Sequence, residues 1–532
     1  MSHLIRVLLS RPQSQLHARR SLTTSVTFHK NEGLENENHP LTRSLNILKN
    51  DMKKVRDFFL PNNWTNKVTE TTETSTLNNN KKRFEGEKGS SSEDVFQTHC
   101  DVLVIGGGGV GSSVAFWLKE KAREGLNVVV VERDPTYVRA STVLSVGGLR
   151  QQFSLPENIQ MSLFGAEFIR GIKDYLGDVE LNFTPHGYLT LASEQGAETL
   201  KRNSRLQNEL GARNELLTAA QLKNKFPWIS TEGIVLGKHS KDLKEFINRF
   251  IVGCHGLEQE GWFDPWALLM GYRRKAKELG AHFVHGEVVN FEFQEHSEVI
   301  IHGNTEGDYQ ALDKAVIQMP DGERRSVKFA ICVLAAGAHS GEVAKLARIG
   351  AGRGGLLQIA LPVEPRKRYV YVIHSQGENA PGLCTPLTID PDGTYFRRDG
   401  LGGNYLCGRS PNSDQEPATD NLDVDHSYFE TDVWPTLARR CKAFESAKVV
   451  SSWAGYYEYN VYDENGIIGP HPYYNNLLIA TGFSGHGIQH TPAVGRAICE
   501  LIIDGRFRTI DLTRLCFDRI IVDRPMLETN IV

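Results

Sequence analysis

Four glycines and one acidic residue, spaced as in a nucleotide-binding turn, are the strongest chemical signal in the chain. The glycines are Gly106, Gly108, Gly109 and Gly111. They follow an apolar run at 101–105, and a second apolar run at 128–131 ends in Glu132, 21 residues beyond Gly111. Glycines there permit a tight turn and let a pyrophosphate approach the start of a helix, while the carboxylate can accept ribose hydroxyls. The pattern predicts a βαβ dinucleotide site.

Two later segments show the same pattern, an apolar strand followed by small residues. Residues 331–335 lead into Ala336-Gly337, and residues 476–480 lead into a glycine-rich turn at 481–487. Small residues at a strand end allow another element or a cofactor to approach the backbone closely. A helix is expected after the second turn, from about Thr491 to Ile503.

Together with Ala140-Ser141-Thr142 and 145–150, these motifs resemble the D-amino-acid oxidase/glycine oxidase/sarcosine dehydrogenase family of FAD proteins over residues 100–507. The resemblance implies FAD as the cofactor. A second glycine-rich βαβ unit for NAD(P)H is not found in the sequence, so NADH is not the expected electron donor. The residues that the motifs assign to FAD are Gly106, Gly108, Gly109, Gly111, Glu132, Arg133, Ser141, Ser145, Gly337, Gly482, Phe483, Ser484, Gly485, His486 and Gly487.

The resemblance also bears on how FAD is held. One branch of the family attaches its flavin to a histidine where this chain has Ser145, and another uses a cysteine that aligns with Gly403 rather than Cys407. FAD is therefore expected to bind non-covalently. The backbone N–H groups that start the helix after Gly487 are expected to stabilise negative charge at the flavin N1–C2=O locus. His486 is either an acid/base group or a structural part of that turn, and the structural interpretation is favoured.

Flavin-dependent oxidation of an amino acid requires a cation for the substrate carboxylate. Arg150, Arg397 and Arg398 can supply it, and tyrosines at 456, 457 and 459 are expected to line the cavity. We assign catalytic roles to Arg150, Arg397 and Tyr459. The alternative is that these arginines bind FAD phosphate or surface carboxylates. Both interpretations stand at this point.

Composition excludes several other classes of protein. Lys+Arg number 60 against 64 Asp+Glu, a net charge of −4 that argues against nucleic-acid binding. No apolar run is long enough for a spanning helix, although peripheral membrane contact is compatible with the sequence. The eight cysteines are scattered without metal-ligand spacing, so no metal site is expected.

The first hundred residues differ from the rest. Residues 1–31 carry five Arg and Lys residues and no Asp or Glu, which favours a mitochondrial transit peptide over an ordinary disordered terminus. Residues 32–97 are polar and repetitive and predict a disordered linker.

The predicted fold is α/β, with a Rossmann-like FAD-binding domain interleaved with an antiparallel-sheet substrate or cap domain. The FAD domain is assigned to 98–180, 263–361 and 452–510, the cap domain to 181–262 and 362–451, and a C-terminal extension to 511–532. Residues 238–256 interrupt the family pattern with a helical apolar period that includes Ile251. This segment is either a partner-binding helix or translated non-coding sequence.

Three segments, 152–158, 260–265 and 363–369, resemble a mitochondrial branch of the family that is associated with assembly of respiratory complex I. The resemblance implies an FAD-binding protein of the matrix, or of the matrix face of the inner membrane, that acts on complex I subunits or assembly intermediates. The alternative is an active FAD-dependent dehydrogenase or oxidase of a small amine or amino acid. Fold alone does not decide between these two functions.

Overall fold

The computed structural model describes residues 96–234, 251–296, 309–352, 355–377 and 379–529. The predicted transit peptide and nearly all of the predicted linker lie outside the described residues, as do residues 235–250 and 530–532. The strands β1 to β18 are, in chain order, His99–Ile105, Val128–Glu132, Gly148–Leu149, Tyr188–Leu191, Asn214–Thr218, Ile251–Gly256, Gly261–Trp262, His282–His285, Glu287–His296, Tyr309–Gln318, Arg324–Leu334, Val363–His374, Leu387–Ile389, Tyr395–Asp399, Asn404–Gly408, Lys448–Asn460, Ile467–Pro470 and Leu477–Thr481.

Helices follow the same order. The helices α1 to α12 are Gly109–Ala122, Ser141–Leu144, Pro156–Arg170, Ile172–Leu176, Ala197–Glu209, Ala219–Lys225, Pro265–Glu278, Ser340–Leu346, His426–Tyr428, Trp434–Arg440, Gly487–Asp504 and Asp518–Ile521. Short 3₁₀ and π turns connect several of them.

The first sheet has the order β17-β18-β11-β1-β2-β8, with β10 joining β11 to β9. Strands β18, β11, β1, β2 and β8 are parallel, and Val128–Val131 are fully buried because helices or other strands cover both faces. Helices α1, α3, α7 and α11 pack on one face. The glycine of α11 that faces α1, Gly495, lies so near Ser113 that a Cβ would come within 2.2 Å of its Oγ. A Rossmann-like core is therefore present, as the sequence predicts.

The second sheet has the order β16-β12-β15-β14-β13-β4-β6-β5. Its pairs are antiparallel except β4 with β13, which run parallel. The antiparallel sheet that the sequence predicts is therefore present. Its one parallel pair needs no hairpin, because β4 and β13 lie almost 200 residues apart in sequence.

Two details of the strands differ from the sequence predictions. Strand β16 begins at Lys448 and crosses the boundary predicted at residue 452. Strand β6 begins at Ile251, a residue that the helical period of 238–256 had included, so that helical prediction is wrong from Ile251 onward. Val252 and Cys254 are buried in this strand, which pairs with β4 and β5, so residues 251–256 are part of the folded core.

Candidate functional site

The glycine turn after β1 is built by close backbone contacts. Gly106 has φ of +100°, and a Cβ there would lie 2.3 Å from the Ala335 carbonyl oxygen at the end of β11. A Cβ on Gly111 would lie 1.9 Å from the Gly106 carbonyl oxygen. Gly108, by contrast, has only the Thr142 hydroxyl within 4 Å of that position. Two glycines therefore close the turn, while Gly108 leaves room beside the start of α1 for a ligand.

Glu132 stands at the end of β2, where the nucleotide motif requires an acid. Its Oε2 accepts the Gly107 N–H at 2.8 Å, and its Oε1 accepts the Asp134 N–H at 2.8 Å. These bonds fix the carboxylate beside the turn. The buried Tyr137 hydroxyl nearby has no hydrogen-bond partner among the described residues, so it is available to a ligand in the same cavity.

The first cavity has a volume of about 450 Å³, which lies in the range of cofactor and ligand sites. Of the predicted FAD residues, it is lined by Gly106, Gly108, Gly109, Glu132, Arg133, Ser141 and Gly337. Gly337 has φ of +56° and nothing within 4 Å of a Cβ position, so its backbone faces open space. Segments from β1, β2, β11 and β16 thus meet around a single elongated space.

A second cavity of about 100 Å³ continues from the first. The two share Ser141, Thr142, Tyr456 and Glu458 as lining residues. On its other side the second cavity is lined by Gly485 and Gly487, at the start of α11. A Cβ at Gly485 would lie 2.3 Å from the Tyr457 ring, so the turn and β16 press closely together.

A third cavity, of about 70 Å³, lies beyond the second and shares Ser145, Tyr395, Tyr457 and Gly485 with it. It has room for roughly two or three groups the size of a water molecule. Tyr188, from the second sheet, also lines it. Burial raises the pKa of Tyr188, Tyr395 and Tyr457, so all three phenols are neutral at physiological pH.

Arg150 brings a positive charge to this third cavity. The side chain is buried, its Nη1 donates to the Gln152 carbonyl at 2.9 Å, and its guanidinium lies 4.4 Å from the Phe153 ring centroid. Burial lowers the pKa of Arg150, while the carboxylates of Glu528 and Glu260 act in the opposite direction. A guanidinium keeps its proton in proteins, so Arg150 is a cation at the narrow end of the three cavities.

His486 also lines the third cavity, within an aromatic cluster. Its ring centroid lies 5.4 Å from Phe153 and 5.2 Å from His490. Both ring nitrogens of His486 lack a hydrogen-bond partner among the described residues. Burial lowers the pKa of His486 well below its usual value, and His490 and Arg150 lower it further, so the ring is neutral. An imidazolium form is therefore not available there at neutral pH, and the ring packs against Phe153 and His490.

The segment after α11 returns to the same region. Glu528 is 1% exposed and accepts hydrogen bonds from the Ser154 N–H at 2.8 Å, the Ser154 hydroxyl at 2.6 Å and the Asn158 amide at 3.0 Å. Arg519 pairs with Asp463 through two bonds of 2.6 and 2.9 Å. Residues of the predicted C-terminal extension thus cap the start of α3 just behind Arg150.

Most of the predicted site residues line at least one of the three cavities, and the others do not. Ser145, Arg150, Ser484, Gly485 and His486 line the third cavity, and Gly487 lines the second. The predicted residues that line none of the three cavities are Gly111, Gly482, Phe483, Arg397 and Tyr459.

Arg397 and Tyr459 line none of the three cavities, although Arg397 contacts Val146, which lines the second and the third. The Arg397 Nε donates to the Val146 carbonyl at 3.0 Å, and its Nη1 donates to the Arg398 carbonyl at 2.9 Å. The Tyr459 hydroxyl donates to Glu464 at 2.6 Å. The structure therefore places Arg150 in the third cavity and Arg397 behind the cavity wall at Val146.

Sequence reasoning missed several lining residues. Thr142 receives the Gly109 N–H at 3.0 Å and belongs to a motif that the sequence displays, next to the predicted Ser141. Tyr188 and Tyr395 come from β4 and β14 of the second sheet and carry no local signal. Glu458 is the acid in an aromatic stretch of β16, and its isolation among apolar neighbours was the signal that could have identified it.

These observations fit a dinucleotide cofactor. The open backbone at Gly108 and Gly337, the oriented Glu132 and the unpartnered Tyr137 hydroxyl all face the first cavity. In the described residues no cluster of His, Cys, Asp or Glu could hold a metal ion. The described helices also include none long and apolar enough to cross a membrane.

Comparison with known proteins gives the same assignment. The sequence model of the DAO family, described as FAD dependent oxidoreductase, matches residues 101–501. The chain is 56% identical over 500 residues to the FAD-dependent oxidoreductase domain-containing protein 1 homolog of Drosophila melanogaster, covering 92% of each. It is 51% identical over 448 residues to FAD-dependent oxidoreductase domain-containing protein 1 of Xenopus laevis, covering 82% of this chain and 86% of the relative.

Among solved structures, L-proline dehydrogenase from P. horikoshii is similar with a TM-score of 0.64 and 24% sequence identity. The match covers 81% of this chain and 100% of that chain. At this identity the likeness concerns the fold alone.

Proposed function

The chain belongs to the DAO family of FAD dependent oxidoreductases, and on that premise we propose that it uses FAD to oxidise a small amine or amino acid. The observation that carries this proposal is the third cavity, which joins the cofactor cavities and contains Arg150. Bound FAD would accept two electrons and a hydrogen from the substrate carbon. The similar fold of an L-proline dehydrogenase supports the same class of substrate.

The cavity residues have distinct roles in this proposal. Arg150 binds the carboxylate of an amino-acid substrate, because a buried guanidinium gives strong charge-assisted hydrogen bonds. Tyr188 and Tyr395 confine the substrate and limit its size. The positive charge of Arg150 disfavours a second positive charge nearby, which favours the uncharged substrate nitrogen that hydride loss from its carbon requires.

The test is anaerobic bleaching of the flavin absorbance by a panel of amines, amino acids and N-methyl amino acids. We expect one class to bleach the wild-type protein. Arg150→Gln should weaken the effect of carboxylate-bearing compounds at least about tenfold, the scale of one lost charged hydrogen bond. The control, Arg324→Gln, changes an exposed arginine of β11 and should bleach normally. Equal bleaching by Arg150→Gln and wild type would remove Arg150 from substrate binding.

We further propose that the protein works in mitochondria, in the matrix or on the matrix face of the inner membrane, and supports assembly of respiratory complex I. The support is the basic, acid-free composition of residues 1–31 and the family resemblance of 152–158, 260–265 and 363–369. Residues 1–31 fused to a fluorescent protein should direct it to mitochondria, and reversing the charges of Arg19 and Arg20 should impair import. Retention of the unmutated fusion in the cytosol would contradict the location.

Cells that lack the protein test the role in assembly. We expect reduced complex I abundance and reduced NADH oxidation, both restored by the wild-type chain. Restoration by Arg150→Gln at equal FAD content would mean that assembly needs the folded flavoprotein but not substrate turnover. Normal complex I in the deficient cells would contradict the assembly role and leave the amine oxidation to be judged by the bleaching test alone.

A further inference from the structure

Glu458 is a carboxylate inside the cofactor site that the predicted FAD motifs do not include. It lies on β16 and lines both the first and the second cavity, so it stands where the two join. Its Oε2 accepts the Thr481 hydroxyl at 2.9 Å and the Gly482 N–H at 3.2 Å. Both donors belong to the turn that precedes α11, which the sequence assigns to the flavin. Glu458 is thus fixed to the part of the site where flavin charge changes.

The hydrogen bonds distinguish the two carboxyl oxygens. Thr481 accepts the Ser340 hydroxyl at 2.8 Å, and two acceptors lie within reach of its own hydrogen, Glu458 Oε2 at 2.9 Å and the Gly337 carbonyl at 3.2 Å. The shorter distance favours Glu458 Oε2. Oε2 therefore has two donors. Oε1 has no hydrogen-bond partner among the described residues and lies 3.0 Å from the Cβ position of Gly487. A proton on this carboxyl group is best placed on Oε1, since Oε2 already has two donors and Glu458 lines both cavities.

Charged groups around Glu458 do not offset its charge. The residue opposite it on β12 is Pro365. Arg368, also on β12, is engaged by two bonds of 2.8 and 2.9 Å to Glu416. Lys367 of β12, opposite Tyr456, donates to the Asn421 side-chain oxygen at 3.4 Å. Arg366 pairs with Glu364, and His339 pairs with Glu342. The titratable groups nearby also include the phenols Tyr456, Tyr457 and Tyr459 and the neutral His486.

Glu458 is enclosed by the cofactor site and pairs with no cation among the described residues, so its pKa is expected to rise. Burial raises the pKa of this carboxyl group to about 7, even though Thr481 and Gly482 lower it in part. Expulsion of water by a bound cofactor would act in the same direction. The acid form is therefore present at neutral pH, which is unusual for a glutamate and typical of a group that handles protons.

We propose that Glu458 holds a proton on Oε1, directed into the cofactor cavity, and gives it to the bound FAD when the FAD takes up two electrons. In amine oxidation the substrate C–H bond breaks, and its two electrons and hydrogen pass to FAD as a hydride equivalent. The N–H proton of the substrate leaves to solvent. The Glu458 O–H bond breaks, its proton joins a nitrogen of the reduced cofactor, and a carboxylate remains. The inference depends on FAD binding and not on the identity of the substrate.

Glu458→Gln is a close test, because the amide oxygen can accept the Thr481 and Gly482 hydrogen bonds while the NH₂ group replaces the Oε1 hydroxyl without titrating. The full-length, FAD-loaded proteins are photoreduced without oxygen from about pH 5.5 to about pH 9, and the spectrum of the reduced cofactor is recorded. Neutral and anionic reduced flavin have different spectra. We expect the neutral form to persist in the wild type to a pH at least about one unit higher than in Glu458→Gln.

Glu464→Gln is the matched control, since it makes the same change in a residue that accepts the Tyr459 hydroxyl and lines none of the three cavities. It should titrate like the wild type. Equal titration by wild type and Glu458→Gln overturns the proposal.

Loss of FAD from Glu458→Gln would still leave a decisive measurement. The infrared difference spectrum of the wild type on photoreduction should lose one protonated-carboxyl C=O band, and Glu458→Asp should shift that band. A wild-type spectrum without such a loss overturns the proposal. Light supplies the electrons here, so failure of the amine panel would be a separate result.

Discussion

The buried carboxyl group of Glu260 makes stability depend on pH in a direction that can be calculated. Glu260 is 1% exposed, and its oxygens accept the Gln151 N–H at 2.7 Å and the Gln152 side-chain amide at 2.9 Å. Burial nevertheless raises its pKa from 4.5 to about 7. The folded state therefore binds more protons than the unfolded state between these values, and stability falls as pH rises through this window.

The change in unfolding free energy can be calculated from the pKa shift of Glu260. A difference of about 2.5 units at about 1.4 kcal/mol per unit amounts to about 3 kcal/mol of unfolding free energy, present at low pH and lost above about pH 7. Glu260→Gln resembles the protonated acid and cannot ionise. Relative to wild type, the variant should therefore gain about 3 kcal/mol between about pH 4.5 and about pH 7.5. For a fold of roughly 400 residues this corresponds to about 4 °C in Tm.

Thermal unfolding of the FAD-saturated proteins, followed by flavin fluorescence at several pH values, measures this difference. Subtraction of the two Tm values at each pH cancels the other titrating groups, Glu458 included. Glu258→Gln serves as the control, because the exposed Glu258 pairs with Arg213 and its pKa is lowered, so its smaller effect has the opposite sign. A Tm difference between Glu260→Gln and wild type that does not change with pH would refute the reasoning.

Three further outcomes are expected. Gly111→Ala should abolish FAD loading, because its Cβ would lie 1.9 Å from the Gly106 carbonyl oxygen; Gly125→Ala, with open space around it, should keep the 450 nm absorbance per protein unchanged. Glu528→Gln should lower the unfolding free energy by about 2 kcal/mol through the lost charge-assisted bonds at Ser154, measured by denaturant titration, and an unchanged midpoint would contradict the capping role. Acid or heat should release all FAD into the supernatant, whereas flavin retained in the precipitate would show covalent attachment.

The parts of the fold that sequence predicts well are local. The β1–α1–β2 unit could be identified because two fully apolar runs and the glycine turn lie within 35 residues. The start of α11 was placed at Thr491 and lies at Gly487, because His486 gives no side-chain cap and glycines hide the boundary. Ile251 was misassigned because its apolar neighbours happen to repeat with a helical period, and only pairing with β4 and β5 decides in favour of a strand.

The candidate site was predicted only in part, for a related reason. Arg150 could be proposed from its motif, but whether Arg397 faces the cavity depends on which side of β14 is covered, and the structure turns its guanidinium to the Val146 carbonyl instead. Tyr188, Tyr395 and Glu458 are more than 60 residues apart in sequence, and they meet because of the order of the strands in the second sheet. Sequence patterns predict individual strands, whereas a cavity lies between strands whose neighbours are not visible in the sequence.

Elements near the C-terminal end of the chain complete the core, so the core cannot form until late in synthesis. Strand β18 pairs with β11, α11 packs on α1, and Arg519 and Glu528 fasten Asp463 and Ser154. The glycine turn near residue 106 therefore leaves the ribosome about 400 residues before its partners, roughly 20 to 80 s at ordinary elongation rates. Before β11 is made the nascent chain exposes the edge of β1, and from then until β18 is made it exposes the edge of β11, so chaperone occupancy should persist until late in synthesis.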